Sequence, residues 1–400
     1  MTPVRRRLAF SDATADRPGL VSRHSANRSL SPPSESGVVL EGHLRLLLAY
    51  DVAEAIDLDE LSKLLGPKAR RAKLYNATFT TQCELDCAPL VRDLQDSLLS
   101  NDGDATLVVR YYSLGVVVLQ IETAFCTDWS GLAEQAGHLD RLSEKGEPHL
   151  KSLLAVLIRE AGSTIHRPTS SHLHERYLIV SLASARDSCG HAILAEHLKS
   201  HHEHQIARLL RNEHRPLSQE ETAEILGNSL AYYKTDLTVI TSSAALVYDR
   251  PEEALSESYV LEYAKVQLLE FRYYDAFLAR VLDDIYRALE RKRSLLLARW
   301  TLPREANRFN RIRVEIMEVR ERVDSAIKFV GDAFYARVFR AAADSMGMPQ
   351  YRGALDDKLR TLGELHGFMI DQFNEARTLV LEFAAAILAL LGVLFLIRGK

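Results

Sequence analysis

Apolar residues return at three- and four-residue steps through much of the second half of this chain, and a stripe of that period cannot face water. Leu261, Ala264, Leu268, Phe271, Leu278, Leu282, Ile285 and Leu289 fall on one side of a helix. Ile316, Val319, Val323, Ile327, Val330, Phe334 and Val338 repeat the device, as do Leu355, Leu359, Leu362, Leu365, Met369, Phe373, Ala376 and Leu379. Between the last two runs, Gly347 and Pro349 in "SMGMPQ" mark where one helix ends and another begins. Burying three such stripes calls for long antiparallel helices packed as a pair or bundle. A helix from Gln350 to Ile397 would run roughly 70 Å.

The last of these helices leads into "LEFAAAILALLGVLFLIRGK". Thr378 to Ile397 carries one charge, Glu382, near its start, and is apolar on every face. Twenty helical residues span about 30 Å, the hydrocarbon thickness of a bilayer, so residues 378–397 are expected to be a transmembrane anchor. The competing reading is a core helix covered by other protein or by a second copy. Arg377 on one side and Arg398 and Lys400 on the other leave the orientation undecided by charge. With no secretory signal after the arginines of "MTPVRRRLAF", the bulk of the chain is expected on the cytoplasmic side of a single-pass protein. The membrane would be a bacterial inner membrane or, alternatively, the mitochondrial inner membrane.

The first half reads differently. Residues 1–36 hold Arg, Ser and Pro with too few large apolar side chains to offset ordering, so a disordered tail is expected. From Val38 the pattern is mixed. "HLRLLLAYDVA" reads as a strand, and "DLDELSKLLG" as a helix capped by Asp57 and stopped by Gly66. "ATLVVRYYSLGVVVLQIETAF" reads as two strands around Ser113 to Gly115. A helix near Trp129 to Leu142, with Ser130 as its cap, and a strand "RYLIVSLA" follow. The expected class is α+β: a small N-terminal α/β sandwich-like domain over 37–184 with no strands beyond it, a helical bundle or stalk over 185–377, and the anchor. A β-α-β-β-α order would pack helices on one face of the sheet.

Candidate chemistry is sparse. The net charge of −4, from 50 Lys+Arg against 54 Asp+Glu, disfavours general nucleic-acid binding. Cys83, Cys87, Cys126 and Cys189 are too irregularly spaced for a disulfide framework or a zinc ribbon, so reduced thiols are expected. "CGHAILAEHLKSHHEHQ" carries Cys189, His191, His197, His201, His202 and His204. On one helix, His197, His201 and His204 would share a face and could offer imidazoles to a metal ion. The alternative is a solvated polar face with incidental histidines. Asp283 with Asp284, and Asp356 with Asp357, read as solvated helix faces. No phosphate-cradling glycine motif occurs at a strand-to-helix junction, so no cofactor and no catalytic residue is assigned.

"ILGNSLAYYKTDLTVITSSAALVYDRPEE", followed by "LEYAKVQLLEFRYYDAFLARVLDDIY" and a helical run ending "EARTLVLEF", resembles the required-for-meiotic-nuclear-division family, a domain of unknown function. Asp236, Leu237, Asp249, Pro251 and Glu252 match its first two elements, and Leu269, Glu270 and Arg272 match a third loosely. "LLLAYDVAEAIDLDELSKLL" is similar to the family's opening strand and helix. The resemblance spans about 38–397, with "FVGDAFYARVFRAAADSMGMPQ" as an added helical pair, and points to a divergent bacterial member. It implies a membrane-associated, non-catalytic protein, with mitochondrial relatives that support organellar translation. The expected function is therefore a membrane-anchored scaffold or tether displaying the α+β domain on a helical stalk. It would act through an unknown protein partner, and the helical stripes could mediate self-association. The alternatives are a metal-dependent hydrolase using residues 189–204, and a membrane tether for the translation machinery.

Overall fold

A computed structural model describes residues 37–72, 88–95, 105–169, 173–291 and 333–398. The expected disordered tail, Cys83 and Cys87, and the stripe from Ile316 to Val330 lie outside the described residues.

The first half opens on β1 (Val39–Asp51) and β2 (Ala53–Ile56), then α1 (Leu58–Leu65). The Asp57 carboxylate accepts the N–H groups of Asp59 and Glu60, and Gly66 ends the helix at φ 57°, as the sequence predicts. After β3 (Arg70–Arg71) and β4 (Leu90–Leu94), β5 (Thr106–Tyr111) and β6 (Val116–Thr127) form the expected hairpin. Helices α2 (Trp129–Lys145) and α3 (Glu147–Ala161) lead to β7 (Ile165–Pro168) and β8 (His174–Arg186). The cap of α2 is Asp128, whose carboxylate accepts Gly131 N–H at 2.8 Å, and this corrects the assignment to Ser130.

Strands continue past Ser184, which corrects the purely helical reading of 185–377. Three short helices, α4 (Ala195–His201), α5 (Glu203–Arg211) and α6 (Gln219–Gly227), precede β9 (Ser229–Leu230), β10 (Leu237–Ile240) and β11 (Ala244–Tyr248). Strand β11 returns parallel to β8, so one nine-stranded sheet has the order β3-β4-β5-β6-β1-β8-β11-β10-β9. β2 and β7 make a separate antiparallel pair.

Alternation along the central strands supplies two buried faces. Leu44, Leu46 and Leu48 of β1, Val117, Leu119 and Ile121 of β6, and Val180 and Leu182 of β8 join a core with α1 to α6. The intervening Leu47, Ala49, Val116, Val118, Tyr177 and Ile179 join a second core on the other side. That core is closed by α7 (Pro251–Arg291), α8 (Ala333–Ser345) and α9 (Met348–Arg398). Helices therefore cover both faces rather than the single face expected, because β1, β6 and β8 are apolar on both sides.

Among the described residues the stripes bury as their period predicts: Leu261, Ala264, Leu268, Phe271, Leu278 and Ile285 of α7 meet Val338 of α8 and Leu355 and Leu362 of α9, while the side chains of Leu289, Met369, Phe373, Ala376 and Leu379 lie outside the description. Gly347, at φ 75°, turns the chain between α8 and α9. Lys358 reaches back to the Asp275 carboxylate at 2.7 Å. Fifty-one residues give α9 a length of roughly 76 Å. Among the described residues no helix is long and apolar enough to cross a membrane. The side chains of 393–400 are outside that description, while those of 381–392 are exposed.

Candidate functional site

Ser258, Glu262, Lys265, Leu269 and Arg272 follow at steps of four, three, four and three, which sets them on the side of α7 that lies against the sheet. Polar and charged side chains thus enter a buried layer, and each meets a partner from a strand. Arg45 of β1 donates to Ser181 Oγ at 2.8 Å and Ser258 Oγ at 3.4 Å, and its Nε donates to Glu122 at 3.0 Å. Arg110 of β5 pairs with Glu262 at 3.0 Å, bonds Gln120, and lies 5.2 Å from the centre of the Tyr259 ring. The Tyr112 hydroxyl donates to the other Glu262 oxygen at 2.8 Å. Lys265 pairs with Glu175 at 2.8 Å and stands over the Tyr177 ring, and Arg272 also pairs with Glu175.

Burial sets the electrostatics of this seam. It raises the Glu262 carboxyl, and the Arg110 charge and the Tyr112 hydroxyl oppose that rise. It lowers the Lys265 ammonium to about 8, against the pull of the adjacent Glu175 carboxylate. Burial would also raise Glu122, but the bond from His43 and the charge of Arg45 hold it at about 2.

The seam ends in an acidic cluster built from three elements. Asp236, just before β10, accepts the N–H of Tyr232 at 2.7 Å and that of Tyr233. Asp249 follows β11, and Glu253 and Glu257 occupy the first turns of α7. Thr238 donates to one oxygen of Glu257, while Glu257 Oε1 and Glu253 Oε2 are buried without a hydrogen-bond partner. Glu257 is 1 % exposed. Its burial, with the charges of Asp249, Asp236 and Glu253, pushes it up to about 8. Burial moves Asp249 to about 6. At neutral pH this environment favours the protonated form of Glu257. Asp236 and Asp249, two of the residues that carry the family resemblance, meet here, whereas Glu252 is exposed.

The histidine-rich segment is split. His197 and His201 lie on α4, which ends at His201, and His204 lies on α5, so the three do not share one helical face. The rings of His197 and His201 meet edge to face at 5.8 Å. His201 Nδ1 faces the His197 carbonyl at 3.1 Å, and His204 Nδ1 faces Thr222 Oγ1 at 3.3 Å. His202 packs on Trp129. Among the described residues, one trio brings metal-ligating atoms within 4.8 Å of one another: Asp187, Cys189 and His191. Cys126 and Cys189 are free and exposed. Asp283 pairs with Arg287 and Asp357 with Arg360 on solvated faces. A cleft beside α1 is lined by Asp57, Glu60, Lys63 and His166. Its carboxylates are already engaged, Asp57 by the helix cap and Glu60 by Lys63.

The ionic seam and the acidic cluster escaped sequence reasoning. Ser258, Glu262, Lys265 and Arg272 stand at helical spacing, but α7 carries charges on its other faces as well, so the spacing alone does not distinguish them from a solvated face.

Residues 41–254 match the family described as "Uncharacterized protein MJ0711, N-terminal domain". The matched span holds the whole sheet apart from the first residues of β1, and ends within the first turn of α7. The uncharacterized protein MJ0711 of Methanocaldococcus jannaschii is 19% identical over 189 residues, 47% of this chain and 58% of that protein. The chain thus spans less than two thirds of that relative. No solved structure matches.

Proposed function

The chain belongs to the MJ0711 N-terminal domain family, and from that premise we propose that it is a membrane-anchored, non-catalytic scaffold that presents its sheet domain on the long helices α7 and α9. One observation carries the reading. Leu381, Phe383, Ile387, Leu388, Leu390 and Leu391 of α9 are each at least 55% exposed, and no polar face alternates with them. An apolar surface of that extent needs a cover, and lipid fits a helix apolar on all sides. The described part of the run, residues 381–392, covers about 18 Å, short of the about 30 Å of a bilayer core. The proposed anchor therefore includes the flanking residues of 378–397. Lying in the C-terminal part of α9, it would hold the sheet domain at the cytoplasmic face. The bilayer is an inner membrane, bacterial in the first instance and mitochondrial in the alternative, and the resemblance to required-for-meiotic-nuclear-division proteins favours the same placement.

A metal-dependent hydrolase built on His197, His201 and His204 has less support, since His204 lies on α5 while His197 and His201 lie on α4. Tethering of the translation machinery rests on the resemblance alone. Expression of the chain with and without residues 378–400, followed by fractionation and an alkaline wash, tests the proposal. The full chain should stay with the membrane pellet and the shortened chain should not. Recovery of both in the supernatant would sink the anchor.

A further inference from the structure

The turn after β8 places three different metal-ligating side chains within five residues. Arg186 and Ala192 bridge its base. Asp187 N–H donates to the His191 carbonyl at 2.9 Å, and Gly190, at φ 84°, donates to the Asp187 carbonyl at 2.9 Å. The left-handed glycine lets the chain reverse in so few residues. Asp187 Oδ1 accepts the N–H groups of Cys189 and His191, each at 2.9 Å, which fixes the carboxylate over the middle of the turn. Its other oxygen faces His191 Nδ1 at 3.4 Å. One oxygen, one sulfur and one nitrogen ligand atom then lie within 4.8 Å of one another.

We propose that Asp187, Cys189 and His191 form a binding site for a thiophilic divalent transition-metal ion of the zinc class. Thiolate, imidazole and carboxylate are the ligands such ions take, whereas calcium and magnesium take oxygen and gain nothing from a sulfur. Ligands at about 2.0–2.3 Å from a tetrahedral ion stand about 3.5 Å apart. The side chains of Cys189 and His191 are exposed, so closing from the observed spacing needs only rotation about their own bonds. On binding, the Cys189 thiol gives its proton to solvent and its sulfur pair to the metal. His191 would bind as the neutral imidazole and Asp187 as the carboxylate, each giving a lone pair, and water fills the fourth position. The backbone bonds to Oδ1 account for the carboxylate as a turn-former, but they give Cys189 Sγ no part. The site is separate from the His197, His201 and His204 set and independent of the anchor.

The test uses the full chain in detergent, made without a histidine tag, with Cys83, Cys87 and Cys126 changed to Ser so that Cys189 is the sole thiol. Titration with Co²⁺ should give a near-ultraviolet thiolate-to-metal band at one equivalent, which Zn²⁺ then bleaches. Adding C189S should remove the band. Adding H191A or D187N should weaken binding by about tenfold or more, since even outer-shell partners are worth about that much. D187N keeps the acceptor that shapes the turn, and circular dichroism checks that each variant is folded. Absence of the band in the sole-thiol chain, or equal Co²⁺ affinity with and without His191 and Asp187, overturns the proposal.

Discussion

Arg110 of β5 and Glu262 of α7 meet at 3.0 Å with 6% and 3% of their side chains exposed, a buried ion pair in the layer between sheet and helix. Taking two charges from water costs several kcal/mol each, so the pair adds little net stability, yet losing one partner strands the other. The geometry around it is restrictive: Tyr112 holds the second carboxylate oxygen, and Gln120 and the Tyr259 ring hold the guanidinium. The pair therefore fixes how α7 sits on the sheet more than how tightly.

Glu262→Leu alone should destabilise the chain by about 3–5 kcal/mol, because the guanidinium stays buried without its counter-charge. Arg110→Met combined with Glu262→Leu should recover most of that loss. Denaturant unfolding of the two singles and the double checks this. A double variant as unstable as the worse single would show that the damage is steric rather than ionic.

Gly115 closes the β5–β6 hairpin at φ 79°, and its carbonyl accepts Val52 N–H at 3.0 Å. A Cβ there would overlap the Ala53 carbonyl oxygen, whereas Gly162, at φ 54°, has open space around it. Gly162→Ala should cost about 1–3 kcal/mol from conformation alone. Gly115→Ala should cost clearly more, because the same strain is joined by a clash that separates β2 from the hairpin. Equal losses in thermal unfolding would argue against the close approach.

What could be read in the sequence was local. The Asp57 cap and Gly66 stop of α1, the β5–β6 hairpin and the burial of Leu261, Leu268 and Leu278 all follow from spacing within one element. Strands β10 and β11 did not announce themselves, because Leu237–Ile240 and Ala244–Tyr248 are short and buried on both faces, so no alternation marks them. The pairing of β11 with β8 is parallel and spans three helices, a contact no local pattern encodes. The charged seam was illegible for a related reason. Glu262 and Lys265 at helical spacing look like a solvated face until the opposing Arg110 and Glu175 are brought in from distant strands.

Leu278 is fully buried in the core shared with Leu355 and Leu362 of α9, while Leu388, forty residues past the start of that helix, is 69% exposed. Leu278→Ala should cost about 2–5 kcal/mol through lost contacts and the cavity left behind. Leu388→Ala should stay within about 0.5 kcal/mol of the parent. Limited proteolysis should release α9 sooner in the first variant only; matching digestion of both would mean that the α7–α9 contact does not hold the stalk.

The acidic cluster predicts a particular pH response. Glu257 moves from 4.5 to about 8 on folding, so between those values the folded chain holds a proton that the unfolded chain has released. The contribution of Glu257 to stability must then fall as pH rises from about 5 to 8, and level off beyond it. Asp249, moved from 3.8 to about 6, adds to the lower part of the same decline. Glu122 acts in the opposite sense, but its window lies below 4.5, where protonation through about 2 removes the contribution it makes at higher pH. Lys265, lowered from 10.5 to about 8, acts only above that value. Glu257→Gln keeps an acceptor for Thr238 and cannot ionise. The difference in unfolding free energy between this variant and the parent should therefore be small near pH 4.5 and grow to a few kcal/mol in the variant's favour at pH 8. Parallel curves for the two proteins across that range would show that Glu257 is ionised in the folded chain, and that the cluster carries its charge by some other pairing.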